Sequence, residues 1–547
     1  MSTTPFPNQP APYAERNLFA EDAALDDAVR TQGAAASMGA LRAFGAKLGT
    51  AEVLGLGELA NRHPPELATH DARGERVDEV TFHPAWDALM QIAREAGEHC
   101  LPWTTPTAGA QVARAAQIFL HAQVENGTQC PITMTFAAIP VLRRHQAEIP
   151  HFASVWEPRL VALTHDARSA PVAAKAAALI GMGMTERQGG SDVRSNRTRA
   201  EPTSDGSFRI TGHKWFFSVP QSDAHLVLAQ EATGLSCFFL PRFAPDGTRN
   251  AIRLQRLKDK LGNRSNASSE VEFEDAIAWR IGQPGQGIAT ILEMVRYTRL
   301  DCVLGSAGIM RAALARALHH AQQRVAFGKR LIEQPLMENV LADIALEVEA
   351  ATFLALRLAR AFEAPAASAE DAFARLVTPA AKYWVCKRGP ALAAEAMEVL
   401  GGNGYIEASG LPRLYRELPV NSIWEGSGNV MCLDVLRMVQ REPVAVDALR
   451  AELERARGRH AAFDAGLQDL HGALARPIDP QDARRVTQRI AVLLQAALLL
   501  QHAPAFVADA FCASRLAPDI YAGAAFGSLR DHAALEPILA RAAGSWR

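Results

Sequence analysis

Glu425 lies in the stretch SIWEGSGNVMCLDVLR, Ser422 to Arg437, directly behind Ile423 and Trp424 and ahead of small residues that lead into an apolar helical pattern. A carboxylate beside a large aromatic is unfavourable unless it is exposed, paired or tuned for chemistry. The residues alone leave two readings. Glu425 is either a first-turn helix residue, where a carboxylate suits the macrodipole, or a functional carboxylate.

Four other segments carry groups of different kinds. TERQGGSDV, Thr185 to Val193, gathers hydroxyls and glycines where helical texture gives way to strands. The N–H groups of such a loop, with Thr185 and Ser191, suit the polar edge of a planar cofactor, and an ordinary polar loop with an Asp turn explains the same residues. HKWFFSVPQ sets Trp215, Phe216 and Phe217 in succession. On a strand, one side faces the core and the other meets something flat or a partner surface, core packing accounting for two of the three rings. RVAFGKRL ends a long helix with Arg324, Phe327 and Gly328, a sensible C-terminal stop that also offers a cation and a ring to a nucleotide. In EVLGGNGY, Gly401, Gly402 and Gly404 permit close approach of backbone to a ligand, or form a helix C-cap.

Several chemistries are excluded. The GMG at Gly181–Gly183 is not followed by G-x-G-x-x-G and opens no helix, so a Rossmann reading fails. His319 and His320 have no third ligand at suitable spacing and read as solvated or packed. There is no nucleophile elbow, P-loop or HExxH. The seven cysteines are widely spread, with no CxxC pair, which suits a reducing cytoplasm. The polar, proline-rich start is not a secretory signal, and the longest apolar run, from Ile490, is too short to span a bilayer. A net charge of -2 provides no global field for nucleic acid, so any such binding needs a local patch.

The elements that must position these groups follow from texture. With 547 residues, 48% of them hydrophobic, the chain can bury a large core in about three or four domains. Residues 18 to 180 show helical spacing. From Gly181, short β-branched and aromatic runs bounded by Gly, Asp, Asn and Pro predict a small antiparallel β-domain over roughly 183 to 282. After IGQPGQG, long helical segments fit a four-helix bundle, and 441 to 547 is again helical, with a break at HAPAF.

Taken in order, MTERQGGSDV, GHKWFF, KLGNRSNASSEVEFEDA, RVAFGKRL, LGGNGY and IWEGSGN resemble the flavin and substrate loops of the acyl-CoA dehydrogenase flavoprotein family, over about residues 80 to 440. Segments such as LKDKLGNRSNAS and LPVNSIWEGSGN look like its alkylation-response branch, which carries an extra C-terminal helical domain. The resemblance implies a mainly α fold with a central β-domain: an N-terminal helical domain (1–180), a middle antiparallel β-domain (181–285), a four-helix bundle (286–440) and an extra C-terminal helical domain (441–547). FAD would be held between domains, the substrate would be an acyl-CoA thioester, and the bundle would build a homotetramer.

Residue by residue, Met184, Thr185, Gly190 and Ser191 match the family's first flavin loop, and Phe216, Phe217 and Ser218 the strand against the isoalloxazine. Arg324 and Phe327 match the adenine-nucleotide contact, usually made across a subunit interface, with Gln334 as a shifted glutamine of that region. Gly401, Gly402 and Gly404 match the neighbouring nucleotide loop, and Ile423, Trp424, Gly426, Ser427 and Asn429 the last flavin segment. Glu425 matches the catalytic base, with Ile423 and Trp424 supplying dryness. The isovaleryl-type enzymes carry their base on the helix before an arginine, and here that site is Thr298, before Arg299. Two positions depart from the pattern: Glu398 stands for the family's glutamine, and Pro335 follows Gln334.

The same resemblance implies binding of double-stranded DNA. Residues 441 to 547 hold 13 Arg and 12 Asp or Glu with no Lys, so the tail is near neutral. On a helix, Arg455 with Arg459 and Arg485 with Arg489 would share a face suited to phosphates, with Arg437 adding to it. A solvated face with acidic neighbours explains the same arginines.

Overall fold

Short strands punctuated by Gly and Asn turns, followed by long alanine- and leucine-rich segments, fold as their texture predicts. The computed structural model describes residues 8–516 and 525–544, so the first seven residues of the polar start lie outside it. The described residues form two compact units, and each is chain-discontinuous.

The unit spanning residues 55–106 and 125–298 holds the β-domain. Its strands are β3 (Ile180–Gly183), β4 (Arg199–Pro202), β5 (Phe208–Ser218), β6 (Ala224–Glu231), β7 (Gly234–Pro241), β8 (Ile252–Leu257) and β9 (Ser268–Ile281). They form one sheet in the order β3-β6-β4-β5-β9-β7, with β8 also on β9, and a β6–β7 pairing that closes it. Pairing is antiparallel except for β3 with β6 and β4 with β6. Phe208, Ile210, Phe217, Phe238 and Phe273 fill its core.

Helical texture did not foretell a hairpin within the first third of the chain. β1 (Glu66–His70) pairs antiparallel with β2 (Arg76–Thr81). The turn explains it: Asp71 Oδ1 accepts from the N–H groups of Arg73 (2.8 Å) and Glu75 (2.9 Å), a local side-chain turn that competes with helix.

The other unit, residues 1–54, 107–124 and 299–547, is helical. Its long helices are α9 (Gly287–Gln323, entering the unit at Arg299), α10 (Pro335–Ala361) and α11 (Ala369–Val399). After them come α12 (Leu411–Asn421), α13 (Gly428–Arg441), α14 (Pro443–Glu454), α15 (Ala461–Leu474), α16 (Ala483–His502), α17 (Ala505–Arg515) and α18 (Leu535–Ala542). The eight earlier helices, α1 (Ala23–Thr31), α2 (Met38–Leu48), α3 (Ala51–Arg62), α4 (Pro84–Glu95), α5 (Leu101–Thr104), α6 (Ala110–His121), α7 (Gln129–Arg144) and α8 (Glu157–Leu160), are shared between the units. His319 and His320 are packed, both 6% exposed.

The tail is part of the bundle's own unit. α16 packs on α10, α11 and α13, and α14 on α11. Buried charges lock it: Arg357 of α10 reaches Glu452 of α14 at 2.8 Å, and Arg515 of α17 reaches Asp343 of α10 at 2.5 Å. Such pairs contribute little net stability, but breaking one strands a buried charge. No described helix is long and apolar enough to cross a membrane.

Candidate functional site

Glu425 does not begin a helix. α13 starts three residues later at Gly428, and Glu425 has φ +58 with Gly426 at φ +105. A left-handed glutamate costs on the order of 1–3 kcal/mol and persists only where its surroundings over-determine it. Two cations do so. Arg299 Nε, from α9, donates to the Glu425 carbonyl at 2.9 Å. The buried Lys382 Nζ, from α11, donates to the carbonyls of Gly426 and Asn421, both at 2.9 Å. Arg299 is itself anchored by Asp434 at 3.0 Å, a carboxylate shared with Arg437.

Asn421 extends the clamp, accepting the Trp424 indole N–H at 3.0 Å and donating to Ser306 at 3.1 Å. The half-buried Trp424 is thereby fixed, but Ile423 is 65% exposed and does not dry the carboxylate in the single chain.

The amino end of α13 is open to an anion. Ser427 caps it without a side-chain hydrogen bond, and its first turn holds no acid. A Cβ at Gly428 would lie 2.8 Å from Cε of Lys387, so the glycine lets that cation approach. Arg484 Nε, from α16, donates to Asn429 Oδ1 at 2.8 Å. A helix terminus with free N–H groups and two cations suits phosphate.

The Arg324 and Phe327 expectations meet a two-stranded hairpin, β10 (Val325–Ala326) with β11 (Lys329–Arg330). Its two-residue turn has φ +51 at Phe327 and +78 at Gly328, the signature of a type I′ turn. Phe327 stands at the tip, 98% exposed. Arg324 and Val325 are tied to Asn8, and Gln334 donates to the Ala326 carbonyl at 2.9 Å before Pro335 opens α10. Gly401–Tyr405 forms a 3-10 turn after α11, with Gly402 exposed and Gly404 packed on the Met397 carbonyl.

In the β-domain, the loop after β3 is built around a carboxylate that sequence reasoning passed over. Glu186 is fully buried against Lys214 at 2.8 Å and accepts from the N–H groups of Arg197 (2.7 Å) and Thr198 (3.1 Å). Burial alone would raise its pKa, but the Lys214 charge and these hydrogen bonds prevail and hold it at about 2. Burial pushes Lys214 down to about 8. The signal in the sequence was a lysine at an inward position of a strand. This pair fixes half-buried Met184 and Thr185 and presents Gly190 and Ser191 to solvent.

On β5, a register shift between Lys214 and Phe217 swaps which parity faces inward. Phe217 is therefore buried, stacked on His225 at 3.8 Å, so its part in any cofactor strand is confined to its backbone. Phe216 is 51% exposed and offers a flat ring, beside half-buried Ser218. Core packing accounts for one of the three rings, since Trp215 is half-buried under Lys258 Nζ, 3.5 Å from its centroid.

A second buried carboxylate shapes KLGNRSNAS. Glu125 accepts from Ser265 Oγ (2.6 Å), the N–H groups of Gly127 and Thr128 (both 2.8 Å) and Asn61 (2.9 Å). Burial opposes its ionisation, and these donors outweigh it.

The arginines expected to track phosphate are each engaged locally. Arg437 pairs with Asp434 (2.7 Å), Arg455 with Glu452 (2.8 Å), Arg485 with Asp482 (3.1 Å) and Arg489 with Asp469 (3.1 Å). Arg455 and Arg459 do not share a helix face: α14 ends at Glu454, and Gly458 at φ +80 turns the chain so that Arg459 donates to the Leu500 carbonyl. Arg485 and Arg489 do lie on one helix, α16.

Taken each by itself, the acid-free amino end of α13, flanked by Lys387 and Arg484, suits the phosphates of a nucleotide cofactor, and the exposed Phe216 ring on β5 suits a flat group. No His, Cys, Asp and Glu cluster suited to a metal occurs among the described residues.

Residues 8–167 match the adaptive response protein AidB N-terminal domain, 181–276 the acyl-CoA dehydrogenase middle domain and 285–440 the acyl-CoA dehydrogenase C-terminal domain. The chain is 54% identical to the AidB protein of Escherichia coli (strain K12), over 92% of this chain and 93% of that one. It is 31% identical to acyl-CoA dehydrogenase family member 11 of Caenorhabditis elegans, covering 85% and 80%. The crystal structure of Caenorhabditis elegans ACDH-11 in complex with C11-CoA superposes with a TM-score of 0.86 at 28% identity, covering 94% of each chain.

Removing the buried cation tests the clamp. Lys382→Met leaves two carbonyls without their donor and is expected to lower stability by about 2–3 kcal/mol in denaturant melts. Unchanged stability would show that the left-handed turn does not depend on Lys382.

Proposed function

The chain belongs to the acyl-CoA dehydrogenase family, in its AidB-like branch, and from that premise we propose that it is an FAD-dependent dehydrogenase of acyl-CoA thioesters with Glu425 as the base. The observation that carries this reading is the clamped left-handed turn: strain is held at one carboxylate, by two cations, at the head of α13. The other position at which such a base occurs is Thr298, which has no carboxylate to offer. FAD, when bound, supplies the acceptor for the hydride that leaves the β-carbon.

The chain's own residues do the rest. Glu425 removes the α-proton as the Cα–Cβ double bond forms, so the proton ends on its carboxyl group. General-base work of this kind is worth about 10²–10⁴ in rate. Gly426 to Asn429, with Lys387 beside them, would hold phosphate oxygens of the cofactor, Phe216 would cover its ring, and the Thr185–Ser191 loop would meet its polar edge. Phe327, bare at its hairpin tip, supports a contact made with a second subunit, consistent with a homotetramer. Seven buried cysteines that form no disulfide support a cytoplasmic setting.

The branch also supports a role in the response to DNA alkylation, with duplex DNA as partner and dehydrogenation weak or vestigial. The carboxylate partners of Arg437, Arg455, Arg485 and Arg489 favour the second reading, a metabolic dehydrogenase with no DNA role.

Two measurements separate these readings. Anaerobic titration of the purified protein with isovaleryl-CoA and a straight-chain acyl-CoA is expected to bleach the flavin band, and Glu425→Gln to slow bleaching at least a hundredfold. Equal rates would remove Glu425 from the mechanism. Duplex binding through phosphates must weaken steeply with salt, and Arg485→Gln with Arg489→Gln must lower that slope by about two. A duplex that fails to shift at low salt leaves the metabolic reading.

A further inference from the structure

The tail touches the segment that carries the candidate base. Arg484 is the second residue of α16, and its Nε donates at 2.8 Å to Oδ1 of Asn429, the second residue of α13 and four positions beyond Glu425. Beyond this contact, α16 packs along α13. Helices from the added tail and the bundle are thus joined side chain to side chain at the amino end of α13.

The charge arrangement there is unusual. Arg484 has no carboxylate partner among the described residues, whereas its neighbour Arg485 turns away to Asp482. The Arg484 guanidinium lies 5.9 Å from the centroid of the Tyr383 ring, and Lys387 Nζ approaches the same ring at 5.7 Å. Both cations therefore sit at the positive end of α13, where the helix dipole disfavours them and an anion would relieve them. A neutral amide oxygen, Asn429 Oδ1, is a weak recompense for a guanidinium. Its use of Nε leaves the terminal NH₂ groups to point elsewhere, and it fixes the side chain of Asn429 in one orientation.

We propose that Arg484 is a positioning residue: it holds Asn429 and the first turn of α13 in the geometry that binds the flavin cofactor, so that the tail sets cofactor affinity. The proposal rests on the reading that the Gly426–Asn429 segment contacts FAD. It gives the tail a task separate from DNA, because Arg484 acts inward on α13 while Arg485 and Arg489 pair outward with Asp482 and Asp469.

The test is FAD affinity of the full chain, read from quenching of flavin fluorescence on binding to protein stripped of cofactor. Wild type, Arg484→Gln, Arg484→Lys, Asn429→Ala and the double variant Arg484→Gln with Asn429→Ala form the set, with thermal melts of each stripped protein alongside. Arg484→Gln is expected to weaken FAD binding about tenfold, the size of one hydrogen bond to a charged group. The stripped protein should melt within a few degrees of wild type. Arg484→Lys, which keeps a cationic donor, should stay within about threefold of wild type. The double variant should bind no more weakly than the weaker single variant, because both changes remove one interaction. Arg484→Gln with wild-type affinity, or full additivity of the two changes, overturns the proposal while leaving the flavin reading intact. Wild-type protein that binds no FAD sinks that reading, and the proposal with it.

Discussion

Two backbone carbonyls, those of Glu425 and Gly426, are held by two cations that come from different helices, and much of the functional unit is arranged to make that possible. Arg299 must project from α9 and Lys382 from α11, and Asp434 must anchor Arg299 from α13. A glutamate at φ +58 would relax toward a commoner conformation without them. Lys382 is 1% exposed, so its charge has to be met inside the protein, and the carbonyls of Asn421 and Gly426 meet it. The turn and the buried lysine therefore stabilise each other. The result is a carboxylate whose backbone is fixed before any ligand arrives, which is the condition for precise proton transfer.

The β-domain uses the same device with opposite chemistry. Glu186 and Glu125 are buried carboxylates that accept several N–H and O–H donors, and each freezes a loop rather than acting on a ligand. The loop from Met184 to Asn196 can then be polar and glycine-rich without being slack. The tail follows a related rule, since Arg357 with Glu452 and Arg515 with Asp343 bring buried charge to its junctions with the bundle. Apolar packing alone would tolerate shifts along α10 that these pairs forbid.

Legibility in the sequence followed contiguity. The β-domain, the long helices and the order of the cofactor loops could be read because each is a local run with its own composition, such as TERQGGSDV or LGGNGY. Features created by partners far along the chain could not. Glu425 looked like a first-turn helix residue because carboxylates suit helix starts, and its left-handed turn depends on residues 126 positions earlier and 43 positions earlier, at Arg299 and Lys382. Which of Trp215, Phe216 and Phe217 is buried depends on a one-residue register shift opposite β9, invisible to an alternation rule. Arg455 and Arg459 sat at helical spacing, but α14 ends at Glu454 and Gly458 turns the chain between them. Arg484 carried no local sign of its partner, Asn429, 55 residues away.

The central claim is that the carboxylate fixed at this turn moves a proton at the α-carbon of a thioester. It is tested most directly by deuterium entry at that carbon, followed by mass spectrometry of an acyl-CoA recovered from D₂O with the flavin kept reduced so that oxidation cannot intervene. Wild-type protein should introduce α-deuterium, and Glu425→Gln should do so at least a hundredfold more slowly. Exchange at the same rate in both proteins would contradict the account.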